Sequence, residues 1–183
     1  MSERKIIVYV ATSADGFIAR KDGNVDWLNR PRTAGDYGMR DFMKSVDTIL
    51  LGRKTYDWAI NFGGGRAFGK KTKYYVFSRK PPSSTSSAVE FVKKPIKEFA
   101  TQLRDQKGKD IWMMGGGSII ASFLDAGEID EFIVHVIPVF IGEGIHLIKP
   151  HHRNIELNLI ESHPYDDGVV KLHYGVRRPD GAF

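Results

Sequence analysis

Gly115, Gly116 and Gly117 stand between the apolar run Ile111-Trp112-Met113-Met114 and four residues, Ile119, Ile120, Phe123 and Leu124, that recur at helical spacing. A strand that turns through glycine into a helix offers bare backbone to a ligand. The first amides of the helix have no internal acceptor and the helix dipole adds positive charge there, so an anionic group is stabilised against Gly117, Ser118 and Ile119. A tight turn capped by Ser118 would leave the same pattern. Gly52-Arg53-Lys54-Thr55 repeats the logic with two cations and a hydroxyl, suited to a second phosphate, although an ordinary helix start reads alike. Ser78-Arg79 follows an apolar run as any polar loop might, yet the planar fork of arginine is the side chain that best grips a phosphate monoester.

The spacing excludes two familiar nucleotide sites. Counting from Gly115 and Gly117, a dinucleotide fingerprint requires glycine or alanine where this chain has Ile120. A Walker loop sought at Gly64 to Lys70 finds Lys71 where the magnesium-binding hydroxyl belongs, with Thr72 one residue late.

The elements that must position these residues follow from periodicity. Strands are predicted over Ile6–Ala11, Thr48–Leu51, Tyr74–Phe77, Val89–Val92, Ile111–Met114, Ile129–Pro138, Glu156–Ser162 and Val169–Val176. Helices are predicted near Met39–Val46, Lys54–Ile60, Ile96–Gln106 and Ser118–Ala126, and Pro81 to Ser87 reads as an exposed loop. Strand and helix alternate early, whereas the last three strands follow one another without a helix. That order implies an α/β fold: one mixed, mostly parallel sheet of about eight strands, helices on both faces and an antiparallel C-terminal tail. In such sheets ligands gather at the carboxyl ends of strands, where Ala11 to Ile18, Gly52 to Thr55, Ser78-Arg79 and Gly115 to Ile119 all fall.

Composition fits one domain of 183 residues, 42% hydrophobic and 27% charged, with no shift that marks a second. No apolar stretch is long enough to span a membrane and Met1 to Lys5 leads straight into a strand, so a cytoplasmic protein is expected. The absence of cysteine removes thiolate catalysis, disulfides and sulfur-based zinc sites. None of the six histidines stands four residues from another, and no metal site is expected. The net charge of +5 comes from dispersed lysines and arginines, with small knots at Lys70, Lys71, Lys73 and at Arg177, Arg178. Such a balance suits a phosphate-bearing small molecule better than nucleic acid.

Read in order, several segments resemble the dihydrofolate reductase superfamily, most closely the branch holding the reductase domain of the bifunctional riboflavin-biosynthesis deaminase/reductase. They are Ala14-Asp15-Gly16-Phe17-Ile18-Ala19, Asp26-Trp27-Leu28, the run from Asp47 through Gly52-Arg53-Lys54-Thr55 to Tyr56, Val76-Phe77-Ser78-Arg79, Met114-Gly115-Gly116-Gly117-Ser118, and Ile129 to Pro138 with Gly142-Glu143-Gly144. The resemblance covers nearly the whole chain. It implies the three-layer dihydrofolate reductase-like fold and a reductase that passes hydride from NADPH to a pteridine or ribosylaminopyrimidine-like heterocycle.

By position, the resemblance places Gly52, Arg53, Lys54 and Thr55 at the cofactor's phosphates and adenosine side. Met114, Gly115, Gly116, Gly117, Ser118 and Ile119 fall along its pyrophosphate, and Ser78 and Arg79 at the 2'-phosphate. Ala11 and Ile18 would lie against the nicotinamide, Trp27 near the substrate mouth, and Asp15 to Leu28 would form a mobile loop hinged at Gly16 and Gly23. Reductases of this type commonly pair subunits through the Ile129–Ile137 end of the sheet, which implies a homodimer, although duty as a buried central strand explains that run equally well.

The proton donor is less direct. The family spacing before Gly52 lands on Asp36, with Asp41 as rival. Met39, Phe42, Met43 and Val46 mark a buried helix face, and at about 100° per residue Asp36 lies near its edge while Asp41 points away. Aspartate is also a preferred helix cap, so Asp36 reads both ways. Arg30, Arg32 and Arg40 are available for a substrate phosphate. An NADPH-binding module without catalysis would keep Gly115 to Ser118 and Gly52 to Thr55 but lack a productive substrate pocket, an alternative that the two candidate acids leave open. An RNA-binding domain would require a basic stripe that the sequence does not show.

Overall fold

Ile6–Ser13 forms β1, and its successive side chains bury on opposite faces. Ile6 and Val8 enter one core with Leu50, Met113, Ile120 and Phe123. Ile7 and Tyr9 enter another with Phe42, Ile49, Leu51, Tyr56 and Trp112. A strand covered on both faces has no polar side, which is why it reads as an unbroken apolar run. The computed structural model describes residues 3–31, 35–63, 72–80 and 88–177. Arg32, Gly64 to Lys70, Lys71, Pro81 to Ser87 and Arg178 lie outside them.

The other elements, in chain order, are β2 (Phe17–Ala19), a 3-10 turn over Asp26–Leu28, α1 (Met39–Ser45), β3 (Val46–Gly52) and α2 (Arg53–Gly63). Next come β4 (Lys73–Phe77), β5 (Val89–Val92), α3 (Ile96–Arg104), β6 (Asp110–Gly115) and α4 (Gly117–Asp125). β7 (Glu131–Ile137), β8 (Ile145–His146), β9 (Leu157–Pro164) and β10 (Val170–Val176) complete the set. Eight strands form one sheet in the order β5-β4-β3-β6-β1-β7-β10-β9. The first six run parallel, and β10 lies antiparallel between β7 and β9.

α3 and α4 cover one face through Phe99, Leu103, Ile120 and Phe123, and α1 and α2 cover the other through Phe42 and Tyr56. The fold is therefore the expected three-layer α/β arrangement with an antiparallel tail. Full burial of side chains such as Leu50, Met113 and Phe123 contributes roughly 1.5–3 kcal/mol each. The amino edge of the sheet is tied by buried Arg4, which donates to the carbonyls of Lys109 (2.5 Å) and Leu103 (3.1 Å), to Thr48 Oγ1 (2.7 Å) and to Asp47 (2.5 Å).

Some boundaries differ from the pattern-based reading. β1 continues past Ala11 to Ser13, and β6 takes in Gly115. The pair β2 and β8, too short to show a period, forms a second small sheet. β7 sits between β1 and β10, so the Ile129–Ile137 run serves as an internal strand, and the outermost strand at that end is β9. Among the described residues no helix is long and apolar enough to cross a membrane.

Candidate active site

The six parallel strands end on one edge, and the four segments singled out in the sequence all lie there. A register shift at Met114 sets Leu50 opposite Met113 but Leu51 opposite Gly115, so β6 turns early into the glycines. Gly115 adopts φ +112, a conformation that favours glycine, and is joined to Gly116 by a cis peptide bond. A Cβ on Gly116 would meet Thr55 Oγ1 at 3.3 Å and Ile18 Cδ1 at 4.0 Å, and one on Gly52 would meet Ile119 Cγ2 at 3.6 Å. Thus Gly116 stands between Thr55 and Ile18, and Gly52 packs against Ile119.

Gly117 is different. A Cβ there would collide with the carbonyl oxygen of His146, because β8 crosses directly over the start of α4. Ser118 is exposed and no side chain caps α4, so the alternative of a Ser118-capped turn is not what the backbone forms.

At the first turn of α2, Arg53 donates through Nε to both carboxylate oxygens of Asp57 (2.8 and 2.9 Å) and through Nη1 to the Lys80 carbonyl (2.9 Å). Its guanidinium also lies 6.0 Å from the centre of the Phe91 ring. Lys54 is exposed and Thr55 half-buried. Ser78 Oγ accepts the Lys80 amide (3.2 Å), and the Ser78 amide donates to Val92 (3.3 Å), which closes the turn after β4. Arg79 is exposed on that turn.

The segment Asp15 to Leu28 is held along its length. The Asp15 carboxylate accepts the amides of Ile141 (3.2 Å) and Gly142 (2.7 Å), and β2 pairs with β8 so that Phe17 faces His146. A hydrogen bond from Ser13, and then those two amides, hold the Asp15 carboxyl below the usual carboxylate range. Arg20 and Asp26 pair at 2.6 and 3.1 Å. Trp27 follows in the 3-10 turn and is 9% exposed. It packs with Ile137 and Val169, beside half-buried Ala11, Leu28, Tyr37 and Tyr165, and its indole nitrogen has no hydrogen-bond partner among the described residues.

Asp36 lies outside the helix, because α1 starts only at Met39 after Gly38 at φ +86. Asp36 therefore has no helical phase relative to the buried face of α1. Its carboxylate accepts the amides of Gly38 (3.1 Å) and Arg40 (3.2 Å), which is the work of a cap, and it is 45% exposed. Together with burial, its charge raises the phenol of Tyr165, which packs beside Trp27, and that of Tyr9 in the neighbouring core. Asp41 is 83% exposed and paired with Lys44 at 2.8 Å, which holds its carboxyl below the usual carboxylate range. Arg40 faces Asp36 at 3.9 Å, and Arg30 donates to the Asp167 carbonyl at 2.6 Å.

The residues that hold this corner were not singled out in the sequence. Tyr37 sits at φ +53, and its carbonyl oxygen accepts from Tyr9 Oη (3.0 Å) and Tyr165 Oη (3.3 Å) and faces His135 Nε2 at 3.1 Å. A carbonyl offers no proton, so Nε2 of His135 carries the hydrogen. Burial pushes the His135 imidazole below its ordinary value and pushes the Tyr9 phenol up. The Tyr37 phenol donates to the Asp167 carboxylate and holds it below the usual carboxylate range. His135 is the register partner of Ala11, and an isolated histidine within an apolar strand was its only signal. Elsewhere, a half-open apolar cavity of about 380 Å³, lined by Leu124, Phe132, Val134, Leu147 and Tyr174 among others, includes none of the strand-end motifs. Among the described residues no group of histidines and carboxylates could hold a metal ion.

Comparison with known proteins agrees with this architecture. The chain is 38% identical over 172 residues to the uncharacterised protein YwjB of Bacillus subtilis (strain 168), which covers 94% of this chain and 98% of that one. The crystal structure of a putative riboflavin biosynthesis protein from Shewanella sp. PV-4 superposes with a TM-score of 0.84 at 27% identity, covering 95% and 99% of the two chains. Dihydrofolate reductase from Enterococcus faecalis, complexed with NADP(H), superposes at 0.66 with 15% identity over 95% of this chain and 97% of that one, a likeness of fold. The profile of the RibD C-terminal domain matches residues 4–171. Since that match spans almost all of the described sheet, the chain belongs to the RibD C-terminal domain family.

Proposed function

We propose that this chain is an NADPH-dependent reductase acting on a pteridine or ribosylaminopyrimidine-like heterocycle. The observation that carries the reading is Gly116, whose missing side chain leaves a cradle bounded by Thr55 on one motif and Ile18 on another. Three strand-end segments thus converge where backbone is bare, as a long phosphate-bearing cofactor requires. The uncapped first turn of α4 and the cations Arg53 and Lys54 at the start of α2 suit the same anion, since neither helix carries an acidic residue in its first turn.

When bound, NADPH supplies the hydride. The amides from Gly115 to Ser118, beside Met114, would hold the pyrophosphate, with Ile119 adjoining through its side chain because its own amide donates to the Gly116 carbonyl (3.0 Å); Gly52, Arg53, Lys54 and Thr55 would hold the adjoining phosphate and adenosine groups, and Ser78 and Arg79 the 2'-phosphate. Ala11 and Ile18 wall the nicotinamide, and Asp15 to Leu28 shields it from water. The buried Trp27 indole N–H, without an acceptor among the described residues, is suited to donate to a carbonyl or ring nitrogen of the substrate; unsatisfied it would cost about 1–3 kcal/mol. Asp36 donates a proton, directly or through water, to the nitrogen that gains electrons.

The test is cofactor titration followed by turnover. NADPH binds the wild-type chain, and its oxidation is followed with dihydrofolate and with ribosylaminopyrimidines. Asp36→Asn, which still caps α1, leaves NADPH affinity unchanged and slows turnover by roughly 100-fold or more. Binding without oxidation of NADPH across these acceptors would leave a cofactor-binding module, and full turnover in Asp36→Asn would reduce Asp36 to a cap.

We also infer a homodimer in which a second copy covers β9, whose Leu157, Leu159 and Ile160 are 44%, 57% and 55% exposed.

A further inference from the structure

Arg53 is poorly placed for the helix it opens. A cation in the first turn opposes the helix dipole, and an arginine that precedes an acid by four residues is in the less stabilising orientation for such a pair. Its partners suggest another purpose. Asp57 holds Nε in a forked contact, Nη1 reaches across to the Lys80 carbonyl, and Phe91 backs the guanidinium plane. One side chain thus links α2 to the turn after β4, a turn otherwise closed by the Ser78 hydroxyl and the Val92 carbonyl.

We propose that Asp57 is a specificity-determining positioning residue: by fixing Arg53 against the Lys80 carbonyl it sets the Ser78–Lys80 turn, and with it the discrimination between NADPH and NADH. The inference rests on the reductase reading given above. Asp57 does not itself meet the cofactor. Its carboxylate is engaged with Arg53, and its own charge would repel a phosphate, so its contribution lies in geometry. A guanidinium released from Asp57 regains rotamer freedom, and the turn that it braces loses its tie to α2.

The geometric and the purely electrostatic roles differ in sign. If Asp57 merely neutralised Arg53, its removal would strengthen NADPH binding. As a brace, its removal weakens NADPH binding more than NADH binding, because only NADPH carries the 2'-phosphate that the Ser78–Lys80 turn would hold. The experiment is titration of NADPH and NADH against wild type, Asp57→Leu and Asp57→Asn, with thermal melting as the control for folding. Asp57→Leu is expected to lower the NADPH over NADH preference by about tenfold. Asp57→Asn keeps an oxygen that accepts from Nε, and is expected to retain most of the preference. An unchanged preference or tighter NADPH binding in Asp57→Leu, with wild type preferring NADPH, overturns this inference alone. Failure of wild type to bind NADPH overturns the reductase reading and this inference with it.

Discussion

Gly115, Gly116 and Gly117 are neighbours, yet each is glycine for its own reason. Gly115 needs a positive φ, Gly116 borders the space shared with Thr55 and Ile18, and Gly117 lies under the His146 carbonyl. The distinction is measurable. Gly116→Val is expected to abolish detectable NADPH binding while shifting the melting temperature only slightly, because the branched side chain fills the cradle and needs only small movements of Thr55 and Ile18. Gly117→Ala is expected to destabilise the fold itself by about 1–3 kcal/mol, as overpacking against backbone does, and to loosen β8. Equal melting temperatures for the two variants would undo this division. The sequence identified the three glycines as a turn. It could not show that one of them answers to a strand about thirty residues further on, since only the folded chain brings β8 over α4.

Among the elements, α1 and the turn before it depend on β7. The carbonyl of Tyr37 gathers Tyr9, Tyr165 and His135, and so fixes the backbone that carries Asp36. Burial lowers the His135 imidazole below its ordinary value of 6.5, so the folded state favours the neutral ring. With the folded value depressed, the unfolded chain binds more protons between the two values, and stability is retained above about 6.5 and falls as pH drops below it. Each pH unit within that window removes at most about 1.4 kcal/mol, or roughly 3–5 °C of melting temperature for a domain of this size. Melting wild type and His135→Gln at about pH 7.5 and pH 5.5 checks this, and the variant should show the smaller drop. Parallel slopes would remove His135 from the acid response. Helical periodicity placed α1 well, and it misled for Asp36, because positive φ at Tyr37 and Gly38 breaks the phase before the helix begins.

Across the whole molecule, the sheet was legible because its parallel strands are largely apolar runs, most of them separated by helices that carry their own period. Partner order was not: β1 lies beside β6 and β7, which periodicity cannot reveal. The same holds at the outer end, where β9 leaves Leu157, Leu159 and Ile160 exposed. Leu159→Lys is expected to convert a dimer to a monomer in sedimentation velocity while leaving NADPH affinity within about twofold, since the strand-end motifs lie on other elements. A wild-type chain that sediments as a monomer would end the dimer proposal.

The position of β1 has a consequence for how the chain is made. Ile6 pairs with Ile111 and Ile7 with Glu131, so the earliest-made strand of this sheet waits for partners encoded more than a hundred residues later. At a synthesis rate of about 5–20 residues per second, that wait is roughly 5–20 s. Throughout it, the run Ile6–Val10 is an uncharged, β-prone segment with nothing to pair against, the kind of sequence that associates with other unfinished chains. The strand that anchors the finished sheet is therefore the one most in need of shelter during synthesis.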